Sequence, residues 1–138
     1  MKKTLMLMLL SGLILSACGR EETIDDIDQK AVDRWQALIA GDYQKAHGYI
    51  APSHRELENL DSYQTRMATA RLSIDWQAAK FVNKDCQEYS CEVTMVITYL
   101  YKFQKRSLGE TKGKTAVKEN WIKSDKKWYF LPDEKKKI

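Results

Sequence analysis

The sequence predicts an α+β domain in which N-terminal helices pack on a curved antiparallel β-sheet. Three observations carry that prediction. Apolar residues recur at helical spacing as far as Arg71, and from Leu72 onward they alternate with polar ones. Within the alternating half, Cys86 and Cys91 enclose a short polar stretch where a hairpin would turn. Helices first and a meander of strands after them is the pattern of an α+β fold.

The composition is compatible with one such domain. The chain has 138 residues, 43% hydrophobic and 30% charged, which suits a single globular core. Only two prolines and six glycines exclude collagen-like or low-complexity architecture. Seven Tyr, four Trp and three Phe argue against disorder.

Lys2 and Lys3 precede an apolar run from Leu5 to Leu15. A transmembrane helix needs about 20 apolar residues, so this run has the length of a secretory signal core instead. It ends in Leu15-Ser16-Ala17-Cys18, which resembles the bacterial lipoprotein processing box. That resemblance implies cleavage before Cys18, a diacylglycerol on its thiol, a third chain on its freed amine in many bacteria, and so a membrane anchor of palmitate-type chains. The alternative is a plain secretory signal with an incidental cysteine. Gly19 lacks the Asp that favours inner-membrane retention in the enterobacterial sorting pattern. The resemblance therefore implies the outer membrane, facing the periplasm, or the cell exterior if there is a single membrane. The expected organisation is 1–17 signal peptide, 18–24 lipidated cysteine and short tether, 25–131 folded domain, and 132–138 charged tail.

Ile24, Ile27, Ala31, Trp35, Leu38 and Ile39 predict a first amphipathic helix, with Asp25 and Asp26 at its positive end. Gly41 should stop it. Asp42 should cap a second helix through Tyr43, Ala46 and Tyr49 or Ile50, ended by Pro52. A third helix is expected over Leu57–Ala70, with Leu60, Tyr63, Met67 and Ala70 on one face.

Leu72, Ile74, Trp76 and Ala78 then alternate with polar residues, as do Val93, Met95, Ile97, Tyr99, Tyr101 and Phe103. With the Cys18 thiol acylated, Cys86 and Cys91 remain, in a compartment where disulfides persist. A redox or zinc half-site would need a second Cys pair or a nearby His, and the sequence has neither. The pair is read as a structural disulfide closing a hairpin. An unbroken register from Cys86 opposite Cys91 pairs Val82 with Met95, Ala78 with Tyr99, Trp76 with Tyr101 and Ile74 with Phe103 on one face. It pairs Asp75 with Lys102 and Phe81 with Val96 on the other. Only Lys80 opposite Ile97 offends, which points to a bulge or a strand end. A polar loop over 105–113, a third strand over Lys114–Lys123 and a last strand over Lys127–Leu131 complete the meander, with Ser124-Asp125-Lys126 as the final turn.

The charge is uneven. Arg20 to Arg34 carries six acids against three bases, and Lys102 to Ile138 carries twelve bases against five acids. A solvated basic face explains this, and so does contact with anionic lipid, lipopolysaccharide or peptidoglycan. Nucleic acid is not expected at such an address.

Three further segments resemble the nuclear transport factor 2-like superfamily of cone-shaped domains. They are Leu38-Ile39-Ala40-Gly41-Asp42-Tyr43-Gln44-Lys45-Ala46, the break Ala51-Pro52-Ser53, and the Trp-bearing strands Glu119-Asn120-Trp121 and Lys127-Trp128-Tyr129-Phe130. The resemblance covers about residues 25 to 131. Enzymes of that superfamily, isomerases and dehydratases among them, place an acid or His with Tyr donors inside the cone. By that analogy Glu119 with Tyr99 and Tyr101 is the candidate constellation. The alternative is a Glu119 that is hydrogen-bonded or paired with a Lys. His47 and His54 read as helix-end or surface residues. The family's enzyme motifs do not match residue by residue, and no metal-ligand spacing, phosphate loop or nucleophile elbow occurs. No catalytic residue, metal or cofactor is assigned. The expected recognition face is Trp76, Met95, Ile97, Tyr99, Tyr101, Glu119 and Trp121, offered to an apolar ligand or an envelope protein. Some of that set must pack as core. The function classes are a tethered binding module, a small enzyme on an apolar metabolite, or a structural subunit of an envelope complex.

Overall fold

The computed structural model describes residues 19–133; the expected signal peptide and lipidated Cys18, and the charged tail beyond Asp133, lie outside the described residues. Four helices pack on one face of a four-stranded antiparallel sheet of order β1-β2-β3-β4. The fold is the expected α+β cone. Among the described residues no helix is long and apolar enough to cross a membrane.

Helix α1 (Asp26–Ala40) turns Ile27, Ala31, Trp35 and Leu38 onto the sheet, and Gly41 ends it at φ 76°. That left-handed conformation is where glycine carries no Cβ penalty. Helix α2 (Tyr43–Gly48) starts as expected, with the Asp42 carboxylate accepting the Lys45 backbone N–H at 3.0 Å. It stops earlier than the proline suggested. Pro52 does not end α2 but opens a short helix α3 (Pro52–Leu57) at its first turn. A missing N–H costs nothing there, because first-turn N–H groups have no intrahelical partner. The expected third helix accordingly begins later, as α4 (Leu60–Arg71), with Asn59 accepting the Ser62 N–H at 3.0 Å.

Strands β1 (Ile74–Cys86) and β2 (Ser90–Lys102) form the expected hairpin, closed by the Cys86–Cys91 disulfide. The register departs from the unbroken one. Pairs follow it from Cys86–Cys91 to Asn83–Thr94, and shifts at Val82 and again at Gln77 then change it. The facing pairs become Phe81–Met95, Ala79–Ile97, Trp76–Tyr99 and Ile74–Tyr101. Lys80 explains the first shift. Without it the ammonium would face Ile97 in the core, whereas the bulge sets Lys80 against Val96 and leaves it exposed. Each bulge also adds twist, which helps the long hairpin curl around the helices.

Strand β3 (Glu110–Ser124) starts before the predicted Lys114, and the loop shrinks to a 3-10 turn at Arg106–Leu108 and its flanks. Gly113 belongs to the strand, opposite Tyr99. A Cβ at Gly113 would lie 2.6 Å from the Tyr99 phenol ring, so the glycine makes room for that ring. Strand β4 (Lys127–Leu131) returns through Asp125 and Lys126, both at positive φ, as a two-residue hairpin turn requires. The free edge of β4 is covered by the α2–α3 junction. The Ala51 N–H donates to the Phe130 carbonyl and the Phe130 N–H to the Tyr49 carbonyl, each at 2.8 Å. The core fills the space between: Ile27, Trp35, Leu38, Ile50, Val93, Met95, Ile97, Trp121 and Trp128.

Candidate functional site

The inside of the cone contains one buried ion pair. Arg34 on α1 is 5% exposed and Glu119 on β3 is 2% exposed. The Arg34 Nη2 donates to Glu119 Oε1 at 2.6 Å. Two indoles complete the carboxylate's shell: Trp35 Nε1 donates to the same oxygen at 2.6 Å and Trp121 Nε1 to Oε2 at 3.1 Å. The guanidinium lies 3.8 Å from the Phe130 ring centroid, stacked on its face. A desolvated carboxylate would be costly alone; three donors, one of them a cation, offset that cost.

Above this pair runs a groove of about 230 Å³ between α1, α4, β1 and β4. Its walls include Trp35, Tyr63, Met67, Trp76 and Phe130, with Arg34 at the floor and Arg66 at the rim. Trp35 and Trp76 meet edge to face, centroids 6.0 Å apart. A smaller hollow of about 150 Å³ shares Arg34, Trp35 and Phe130 and reaches Glu119. Two buried groups here lack a hydrogen-bond partner, Arg34 Nε and the Tyr63 hydroxyl. Burial pushes the Tyr63 hydroxyl above its ordinary pKa, against the lowering effect of the nearby Arg34 cation. At the rim Arg66 grips Glu58 through two bonds of 2.6 and 2.7 Å, and that hydrogen-bonded cation holds the Glu58 carboxyl below its usual range.

The expected recognition set is divided by this geometry. Met95, Ile97 and Trp121 are core, and Glu119 is buried, 2% exposed, at the end of the smaller hollow. Trp76 alone of the set walls the groove. Tyr99 and Tyr101 stand opposite Gly113 and Thr111, whereas Glu119 stands opposite Val93. Six residues of strand separate Gly113 from Glu119, roughly 20 Å, so these tyrosines and the carboxylate do not form one constellation. His47 spans a helix end, its Nε2 2.9 Å from the Glu58 carbonyl, and His54 lies on α3; neither lines the groove. Arg34, Tyr63 and Arg66 were not foreseen. The available signal was Arg34 itself, a charge on the apolar face of α1.

Another hollow, of about 400 Å³, opens at the disulfide end beside Asp85, Gln87 and Glu92, without unpartnered buried donors among the described residues. Among the described residues no cluster of His, Cys, Asp or Glu is disposed to hold a metal ion.

The comparisons with known proteins bear on the fold. No protein-family model and no curated protein matches the sequence. Solved structures do. A SEC-C motif containing protein from Rhodopseudomonas palustris superposes with a TM-score of 0.56 at 14% identity, over 73% of this chain and 71% of its own. A Campylobacter jejuni protein described as an NTF2-like transpeptidase gives 0.55 at 15% identity, over 78% of this chain and 99% of its own. A SEC-C motif containing protein from Psychrobacter arcticus gives 0.50 at 14% identity, over 82% of this chain and 60% of its own. The chain has the nuclear transport factor 2-like fold. At such identities the likeness concerns the fold alone.

Proposed function

We propose that this chain is a membrane-tethered lipoprotein whose cone is a binding module of the cell envelope, with the groove above Arg34 as its binding site. One observation carries the reading. The groove is walled by aromatics and holds two unpartnered buried donors, while Glu119 beneath it already accepts three hydrogen bonds and the exposed Asp133 at its edge accepts from Asn120. A general base needs a free lone pair within reach of a substrate proton; Glu119 is 2% exposed, and its carboxylate is committed to Arg34 and two indoles. Arg34 is neutralised by Glu119 and Arg66 by Glu58, so the groove suits an apolar body bearing a neutral acceptor. A ligand carbonyl or the backbone of a partner segment has that chemistry.

The tether is tested by fractionating cells that express the wild type or Cys18→Ala. The wild type should incorporate labelled palmitate and sediment with membranes, and the variant should take up no label and be left unprocessed or soluble; equal membrane association of the wild type without label contradicts the lipoprotein reading. For the groove, a photo-crosslinking phenylalanine at Trp76 should capture a ligand or partner in the native envelope, and the same group at the exposed Val82 should not.

A further inference from the structure

Outside the cone, where α1, α2 and β4 meet, a second cleft of about 440 Å³ is strongly cationic. Lys30, Lys45, Arg55 and Lys127 line it with Tyr49 and Tyr129, and Glu22 is the one carboxylate in its lining. Glu22 is already engaged, its Oε2 accepting from Lys30 Nζ and from the Trp128 N–H, each at 2.7 Å. Lys30 also donates to the Trp128 carbonyl at 2.8 Å. Three cations are left over. Among the described residues Lys45, Arg55 and Lys127 make no ion pair. Arg55 Nε is buried and donates to nothing. A concave site with three uncompensated cations, one of them an arginine with an unused buried donor, calls for an anion with several acceptor oxygens.

Its position narrows the source. The N-terminal segment forms one edge of the cleft and is pinned there: the Glu22 N–H donates to the Lys126 carbonyl at 2.9 Å, and Lys123 binds Glu21 at 2.7 Å. Four residues separate Glu22 from Cys18, a reach of at most about 14 Å. A chain anchored through Cys18 therefore carries this cleft at the level of the lipid headgroups.

We infer that the cleft binds the phosphate of an anionic phospholipid headgroup, a second membrane contact beside the anchor. The inference rests on the proposed Cys18 anchor for its source, but it concerns a different surface from the groove, and a chain without the lipid lets it fail independently of both.

The test uses the chain from Gly19 onward, which contains every helix, strand and core residue described above and carries no lipid. It should sediment with vesicles containing phosphatidylglycerol and not with phosphatidylcholine alone. Arg55→Gln with Lys127→Gln should weaken that binding about tenfold or more, on the usual contribution of a basic residue near an anionic surface. Lys112→Gln with Lys114→Gln removes equal charge from the other end of β3 and should leave it unchanged. Amide shifts of Lys45, Arg55 and Lys127 under inorganic phosphate separate the sources. Shifts at these residues alongside vesicle binding support the assignment; saturation by phosphate without vesicle binding moves the site to a soluble phosphate ester and overturns the headgroup. Equal weakening by both substitution pairs, or no binding of either probe, overturns the site.

Discussion

Among the described residues Arg34 and Glu119 are the two charged ones buried in the cone, and each accounts for the other. A guanidinium brought inside by the α1 stripe needs an acceptor, and Glu119 sits on the inward-facing row of β3 with Trp121. Both were visible in the sequence as charges on faces otherwise apolar, although their partnership was not, because it joins residues far apart in the chain. Tyr63 and Arg66 were less legible still. Tyr63 was recognised as a helix-face residue, but that its hydroxyl would be buried without a partner depends on how α4 packs against α2 and β1. At the same scale, Gly113→Ala should destabilise the fold by about 1–3 kcal/mol, because the added Cβ meets the Tyr99 ring. Adding Tyr99→Ala should recover part of that loss in chemical denaturation; equal stability of wild type and Gly113→Ala would show that the ring moves aside freely. The rim carboxylate has a sign of its own. The Glu58 pKa is lowered in the folded state by Arg66, so the pair stabilises above the ordinary glutamate range and is lost as pH falls through the depressed value. Wild type should therefore exceed Glu58→Gln in stability near neutrality, with the difference vanishing in acid; a difference independent of pH would remove the Arg66 cation from the explanation.

Among the elements, the β1–β2 hairpin was the most legible, since strand alternation and the cysteine pair indicate the same turn. The two bulges were only half legible: Lys80 flagged one, and nothing near Gln77 flagged the other. Their spacing answers to the curvature that α1 imposes on the sheet, a tertiary demand that local pattern does not contain. The helices show the opposite failure. Pro52 is an N-terminal residue of a helix as readily as a breaker, and the choice fell to the contact between the α2–α3 junction and β4. The disulfide spans a tight turn, so reducing it should lower stability by about 2 kcal/mol without loss of the fold. Denaturation with and without reductant measures this, and collapse of the near-ultraviolet signal on reduction alone would assign the bond a larger role.

For the molecule as a whole, the cone places an aromatic groove over a sealed ion pair, and the pinned N-terminal segment sets the basic cleft beside the predicted anchor. In the proposed function Glu119 is a structural partner of Arg34 and not an acid–base group kept for chemistry. A double-mutant cycle with Arg34→Met and Glu119→Leu, followed by urea denaturation, tests this most directly. Each single change should cost about 3–5 kcal/mol by stranding a buried charge, and the double variant should cost at least about 2 kcal/mol less than their sum. Single losses under about 1 kcal/mol that simply add would mean that the two groups are uncoupled, and would free Glu119 for the catalytic role denied it here.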